Sequence, residues 1–399
     1  MESDKGYKEI GDMKVLNMDW WDDFSCIGGE CPLTCCCTSW SIDLTEKEIE
    51  QYEKLDHPFR DTIVASIDKG NKKMKEKNGY CSLLTEDGWC HMVRECGEQY
   101  LSNTCTEFPR NRRIFGDIVE QTVELVCPVV AKYLFRKEKI VFDFGETDVK
   151  EAINSIDYTL YDTLSLVRTN LIDLFQEYKG NFFTGKMIIM LQLLYKIKKL
   201  FANNTFSREN VEELLAFYEN ETNRATIFFK GEEIAKNYKE KVKVLCKFMI
   251  WLDKWVTTLM EKKLMETDFG LKQNIKLWSK NPESFVCDLQ VFSEYFRTKY
   301  GQVFENYFVY TLFHDWISLE KDKFGKNIIL KVFEFAQIQL LALSIWKEKG
   351  GVLPQSDYEL MITYSDRSIG HSSEKEAFYK SMQENDFTCT ASLLMLCII

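Results

Sequence analysis

The sequence predicts a mainly α protein in two parts: a cysteine-rich, loop- and hairpin-containing metal-binding domain over residues 1–145, then an α-helical domain over residues 146–399. Three observations predict it. Of the 14 cysteines, 10 fall between Cys26 and Cys127. Across that same stretch, Gly, Asp-Gly and Pro signals break the chain into short pieces. Past Asp143 the cysteines thin out and apolar residues recur at steps of three and four, the spacing of one helix face.

The first 25 residues close on the aromatic group Trp20-Trp21-Asp22-Asp23-Phe24, expected to pack over the cysteines and keep water from them. Cys26-Ile-Gly-Gly-Glu-Cys31-Pro-Leu-Thr-Cys35-Cys36-Cys37 follows as an irregular loop, a form that can converge several side chains on one point. Thr45-Glu-Lys-Glu48 has capping-box spacing, so a helix is expected from Glu46 to about Lys54. The run from Lys69 to Gly79 is charged and loop-like. Tyr80 to Cys90 reads as an extended segment, an Asp87-Gly88 turn and a return that brings Cys81 towards Cys90. Arg113 to Val119 reads as a second hairpin ahead of Cys127-Pro128.

In the second half, one helical face joins Leu160, Leu164, Val167, Leu171, Leu174 and Tyr178. A second joins Met187, Met190, Leu191, Leu194, Ile197 and Phe201, and a third joins Val242, Leu245, Met249, Leu252, Val256 and Leu259. Further helices are expected over 303–318 and over 328–347, the latter stopped by Gly350-Gly351. A last one is expected to begin at the capping box Ser356 to Glu359.

Composition narrows the function. A chain of 399 residues can bury a core without disulfide staples. Its first residues lead into no apolar run, so a cytoplasmic address is expected, where thiols stay reduced and serve metals or catalysis. No stretch reads as long enough to cross a bilayer, and a net charge of −11 argues against nucleic acid as partner. The basic runs Lys69 to Lys77 and Arg110 to Arg113 read as solvated loops or as patches for an acidic partner or cofactor carboxylate.

Thiolates bind soft and borderline metals, the common outcomes being tetrahedral zinc and an iron–sulfur cluster. Zinc sites usually show two separated C-x2–4-C knuckles. Here a clustered head is followed by single cysteines at 81, 90, 96, 105 and 127, which fits a polynuclear cluster, or more than one site, better than one knuckle pair. Iron–sulfur, zinc and structural free thiols or disulfides all stay open on spacing alone.

The run Phe24 to Cys36, then Trp40-Ser-Ile-Asp43, Leu101 to Arg110 and Val126-Cys127-Pro128, resembles the flagellin lysine-N-methylase family of cysteine-cluster, zinc- or iron-chelating proteins. Phe304 to Tyr310 and Tyr364 to His371 continue the resemblance. The family carries a double cysteine, one residue and then Gly-Trp; this chain carries a triple cysteine followed by Thr38-Ser39-Trp40, so Cys35-Cys36 and Cys36-Cys37 each match one register.

The resemblance implies methyl transfer from S-adenosylmethionine to lysine side chains of flagellin, its protein partner, with a cysteine-held 4Fe–4S cluster. The ligand set it implies is Cys26, Cys31, Cys35, Cys36, Cys37, Cys81, Cys90, Cys105 and Cys127, leaving Cys96 as a core thiol. No strand leads into the Gly-rich turn of a Rossmann-type donor site. The C-x3-C-x2-C spacing of radical enzymes fails at its third position, which is Thr38.

A protonated lysine has no free lone pair, so polar transfer needs a base or a desolvated pocket. Glu305 and His371, both in the late family-like segments, are the candidate bases; Arg110 and Arg367 are candidates for pairing with the donor carboxylate. His91, beside Cys90, reads as an exposed or supporting residue. The alternative function is a non-enzymatic zinc- or iron-binding protein whose helical domain binds a protein partner.

Overall fold

In a computed structural model of the chain, residues 9–10, 13–33, 35–37, 41–147, 149, 156–178, 182–262, 265, 267–370 and 375–397 are described. Of the described residues, 64% are helical and 9% strand. Its strands are β1 (Glu9–Ile10), β2 (Met13–Met18), β3 (Ile67–Asp68), β4 (Lys73–Met74), β5 (Glu76–Lys77), β6 (Tyr80–Cys81), β7 (Arg110–Phe115), β8 (Ile118–Val123) and β9 (Phe142–Phe144). Short helices accompany them: α1 (Trp20–Asp23), α2 (Glu46–Glu53), α3 (Arg60–Ala65), α4 (His91–Cys96), α5 (Asn103–Glu107) and α6 (Pro128–Tyr133).

The expected hairpin ahead of Cys127 is present as β7 and β8, antiparallel from Arg110↔Val123 to Phe115↔Ile118. Gly116, at φ +63, makes the turn. What the sequence did not suggest is that β8 also pairs in parallel with β2, Lys14↔Ile118 through Asn17↔Gln121, while β1 and β9 pair with β2. A parallel pair needs a long crossover. Here that crossover is the cysteine-bearing segment, and because β2 and β8 run the same way, the chain leaves both towards one end of the sheet, to Cys26 after β2 and to Cys127 after β8.

The helix from Glu46 is capped as expected: Thr45 N–H donates to Glu48 Oε2 at 2.7 Å and Glu48 N–H to Thr45 Oγ1 at 3.2 Å. The Asp87-Gly88 return is also present, as a Leu84↔Cys90 bridge with Thr85 N–H bonded to Trp89 O at 2.9 Å.

The long helices are α7 (Tyr158–Glu177), α8 (Phe183–Ala202), α9 (Arg208–Glu219), α10 (Glu221–Ala235), α11 (Tyr238–Glu261), α12 (Leu271–Lys280), α13 (Pro282–Asp315), α14 (Lys326–Glu348), α15 (Gln355–Ser365), α16 (Lys375–Glu384) and α17 (Thr390–Leu396). The faces expected on α7, α8 and α11 are buried, apart from Tyr178 and Phe201 at their ends. Two expectations need correction. The helix expected from 303 begins at Pro282, where proline at N1 suits a helix start. The Ser356 to Glu359 capping box does not form, because α15 already starts at Gln355 behind Pro354, and two further helices follow it.

Among the described residues α14 alone is long and apolar enough to cross a membrane, yet 94% of its apolar window is buried inside the protein. It threads a main core that gathers residues from Met18 to Cys397, including Trp20, Val123 and Cys127 from the sheet end. A second, small core of ten buried hydrophobics, among them Ile42, Ile49, Ile63 and Met92, lies in the crossover, with Cys37, Cys90, Cys96 and Cys105 packed against it.

Candidate metal centre and a buried charge network

Five chain segments bring the thiols together. The loop after Phe24 supplies Cys26, whose sulfur accepts Gly28 N–H at 3.4 Å, and Cys31, whose N–H bonds Gly28 O at 3.1 Å. Gly28 stands at φ +55, and a Cβ on Gly29 would come within 2.1 Å of the Trp89 ring, so this loop lies directly on the Cys81 to Cys90 segment. Cys36 and Cys37 share a tight turn with their sulfurs 3.8 Å apart. Cys105 rides on α5, where Ser102 Oγ accepts its N–H at 3.3 Å; Glu48 Oε1 takes Asn103 N–H at 2.7 Å and so ties α5 to α2. Cys90 and Cys127 stand at the N-caps of α4 and α6.

Cys36 is the common neighbour. Its charge is felt by Cys26, Cys37, Cys81, Cys90 and Cys105, and Cys26 in turn feels Cys31 and Cys127. Burial, then mutual repulsion, pushes Cys81 up to about 11 and Cys105 up to about 12, and raises Cys26 and Cys90. The hydrogen bond with Cys37 holds Cys36 below the usual thiol range and Cys37 far above it. Protonated thiols crowded in this way are donors that a thiophilic metal can deprotonate and neutralise. Their chemistry fits such a metal, although among the described residues no three Cys, His, Asp or Glu side chains close on one ion position. The Cys35 side chain, Thr38 to Trp40 and His371 lie outside the described residues.

Other candidates fall elsewhere. Cys96 pairs with His57, sulfur to Nδ1 at 3.4 Å. The half-exposed His91 ring faces Glu95 at 3.7 Å and packs on Phe59. Arg110 lies over the Trp21 and Phe24 rings at 5.6 and 5.1 Å and donates to Phe24 O, bracing the strand β7 against the Cys26 loop. Trp20 points instead into the main core, stacked on Tyr310 at 6.0 Å. Arg367 is buried in the π-helical turn Asp366–Gly370 that follows α15. Glu305 meets buried Lys186 at 2.7 Å; burial, only partly offset by that lysine, raises its carboxyl to about 7.

A polar centre that sequence reasoning missed lies where the sheet end meets α13, α14 and that turn. A cavity of about 40 Å3 is lined there by Glu124, His314, Asp315, Lys331, Glu334 and Asp366. His314 hydrogen-bonds Glu124 through Nε2, and its Nδ1 faces the Asp315 carboxylate as an ion pair without hydrogen-bond geometry, each at 3.2 Å. Lys331 bonds Glu334 at 2.8 Å and also Asp366, while Tyr307 OH donates to Glu334 at 2.9 Å. Arg113 reaches from β7 to the carbonyls of His314 and Ile317. A second buried pair, Arg168 with Glu120 at 2.6 Å, joins α7 to β8, and Tyr161 OH donates to the same carboxylate. The available signal was Lys331 and Glu334, two charges inside the apolar run of α14, and the adjacent His314-Asp315 in a chain with 4 histidines.

These features define a mainly helical protein that carries a thiol-rich lobe on a strand crossover and joins the sheet end to the helices through buried ion pairs. The family model for the FliB lysine N-methylase C-terminal domain matches residues 168–396, more than half of the chain, and the chain belongs to that family. The resemblance read from the sequence is borne out. Lysine-N-methylases of Salmonella typhimurium (strain LT2) and Salmonella choleraesuis (strain SC-B67) are each 26% identical over 145 residues, 33% of this chain and 35% of theirs. The flagellar biosynthetic protein FliU of Salmonella muenchen is 29% identical over 120 residues, 27% of this chain and 68% of its own. The chain thus spans about a third of the length of the lysine-N-methylases it matches. No solved structure matches it. Glu305 and five of the six cavity residues named above lie within the family stretch, whereas Glu124 and the thiols from Cys26 to Cys127 precede it.

Proposed function

We propose that the protein transfers methyl groups from S-adenosylmethionine to lysine side chains of flagellin, with its N-terminal cysteines holding an iron–sulfur cluster. The observation that carries the reading is the gathering of thiols from five segments about Cys36 in a chain of the lysine N-methylase family. Cys26, Cys31, Cys35, Cys36, Cys37, Cys81, Cys90, Cys105 and Cys127 are the proposed ligands. When bound, such a cluster supplies a Lewis-acidic iron able to fix the amino-acid end of the methyl donor. Arg110, braced on the Cys26 loop, is the nearby cation for a donor carboxylate, and Arg367 is the second candidate.

In the transfer the lysine nitrogen forms a bond to the methyl carbon, the carbon–sulfur bond breaks, and its electron pair stays on sulfur. The proton lost from the amine needs an acceptor. Glu305, held near 7 by burial, has the proton affinity of a base working at neutral pH; His371 is the other proposed base. The test is iron and acid-labile sulfide analysis, with an absorption spectrum, on anaerobically purified wild type and Cys36→Ala. Iron and sulfide in the wild type, lost with a lowered Tm in the variant, support the reading. Stoichiometric zinc and no visible absorption would leave the runner-up, a metal-stabilised binding protein.

A further inference from the structure

Helix α11 has two faces. One, with Leu245, Phe248, Met249, Leu252, Val256 and Leu259, is buried. The other carries Lys247, Ile250, Trp251, Lys254, Trp255 and Thr258 at helical spacing and forms the floor of a groove of about 550 Å3, walled on one side by the end of α16 and the segment up to Phe387. Trp251 and Trp255 stack 6.1 Å apart at 9°, and Phe378 packs edge-on and tilted against them at 5.0 and 4.7 Å. These rings are therefore held rigid before any ligand arrives.

Trp251 Nε1 is already satisfied by Ser381 at 2.9 Å. Two details point outward. Ile250, between the two lysines, is 57% exposed. Lys247 and Lys254 form no ion pair among the described residues and stand about 10 Å apart along the helix axis, in a chain whose net charge is −11. Two lysines thus flank an aromatic floor, with the exposed Glu384 and Asp386 on the wall segment beside them.

We infer that this groove docks a segment of the protein substrate that presents two carboxylates about 10 Å apart, one helical repeat of seven residues, with an aliphatic side chain between them. The carboxylates meet Lys247 and Lys254, and the aliphatic group covers Ile250 and Trp251. The inference rests on the lysine methylase reading and adds to it a docking contact on the helical domain.

The test compares full-length wild type with Ile250→Asp and with Lys247→Glu/Lys254→Glu, all at exposed positions. Flagellin binding is followed by tryptophan fluorescence, and methyl transfer is measured on flagellin and on a short lysine peptide cut from it. We expect flagellin to bind the variants about tenfold or more weakly, with KM for flagellin raised and kcat kept, and the peptide reaction unchanged. Equal flagellin affinity in wild type and variants, or no binding by wild type, overturns the groove. Absence of methyl transfer by wild type overturns the enzyme reading instead, and the binding comparison then decides the groove by itself.

Discussion

His314 is held between two carboxylates inside the protein. Burial pulls its pKa down, but Glu124 and Asp315 override that effect and hold it at about 9, against an ordinary value of 6.5. A histidine whose folded pKa is raised contributes its stability fully below the unfolded value and loses it as pH rises through the folded one. The stability profile from urea unfolding should therefore fall between pH 6.5 and about 9 in wild type, and that fall should shrink in His314→Gln. The variant should also lose about 3–5 kcal/mol at neutral pH, because Glu124 and Asp315 are left buried without their shared cation. An unchanged profile would remove His314 from the ion network. At Glu305 and Lys186 burial outweighs the attraction of the partner and moves both groups towards their neutral forms.

At the scale of elements, the approach of two loops is what brings the thiols of the crossover together. Gly29→Ala would set a Cβ against the Trp89 ring, so the Cys26 loop must lift from the Cys81 to Cys90 segment. We expect lower metal content in this variant than in Gly70→Ala, whose nearest neighbour for a Cβ is the Asp68 carboxylate at 3.5 Å; equal metal content would show that the loop contact is dispensable. Local chemistry of this kind was partly legible. The Thr45 capping box could be read because its partners lie three residues apart, and so could the buried faces of α7, α8 and α11. The pairing of β2 with β8 could not, since its partners lie some hundred residues apart and no turn signal links them. The start of α13 was missed for another reason: the apolar face of a 34-residue helix changes neighbours along its length, which blurs its period, although Asn281-Pro282 marked the start. Cysteine count and spacing exposed the metal candidates, but the His314 and Lys331 network needed the fold to assemble it.

On the scale of the molecule, the two cores are unequal. The main core joins the sheet end to all the long helices, whereas the crossover core has ten buried hydrophobics among the described residues and borders the thiols. A core this small contributes little stability alone, and under the proposed metal-bound reading metal-binding energy would add to folding energy. Stripping the metal from purified protein with a chelator should therefore speed amide hydrogen exchange in α2, α4 and α5 while α7, α13 and α14 stay protected; equal loss across the chain would contradict a lobe held by metal. The main core supplies the rigid frame against which that lobe and the groove on α11 can act. The most direct test of the enzyme reading is the mass of flagellin and its tryptic peptides after incubation with anaerobically purified protein and S-adenosylmethionine. Methylated lysines that appear with the wild-type protein and are absent with Cys36→Ala are the expected result. Unmodified flagellin in the presence of fully iron-loaded wild type would contradict it.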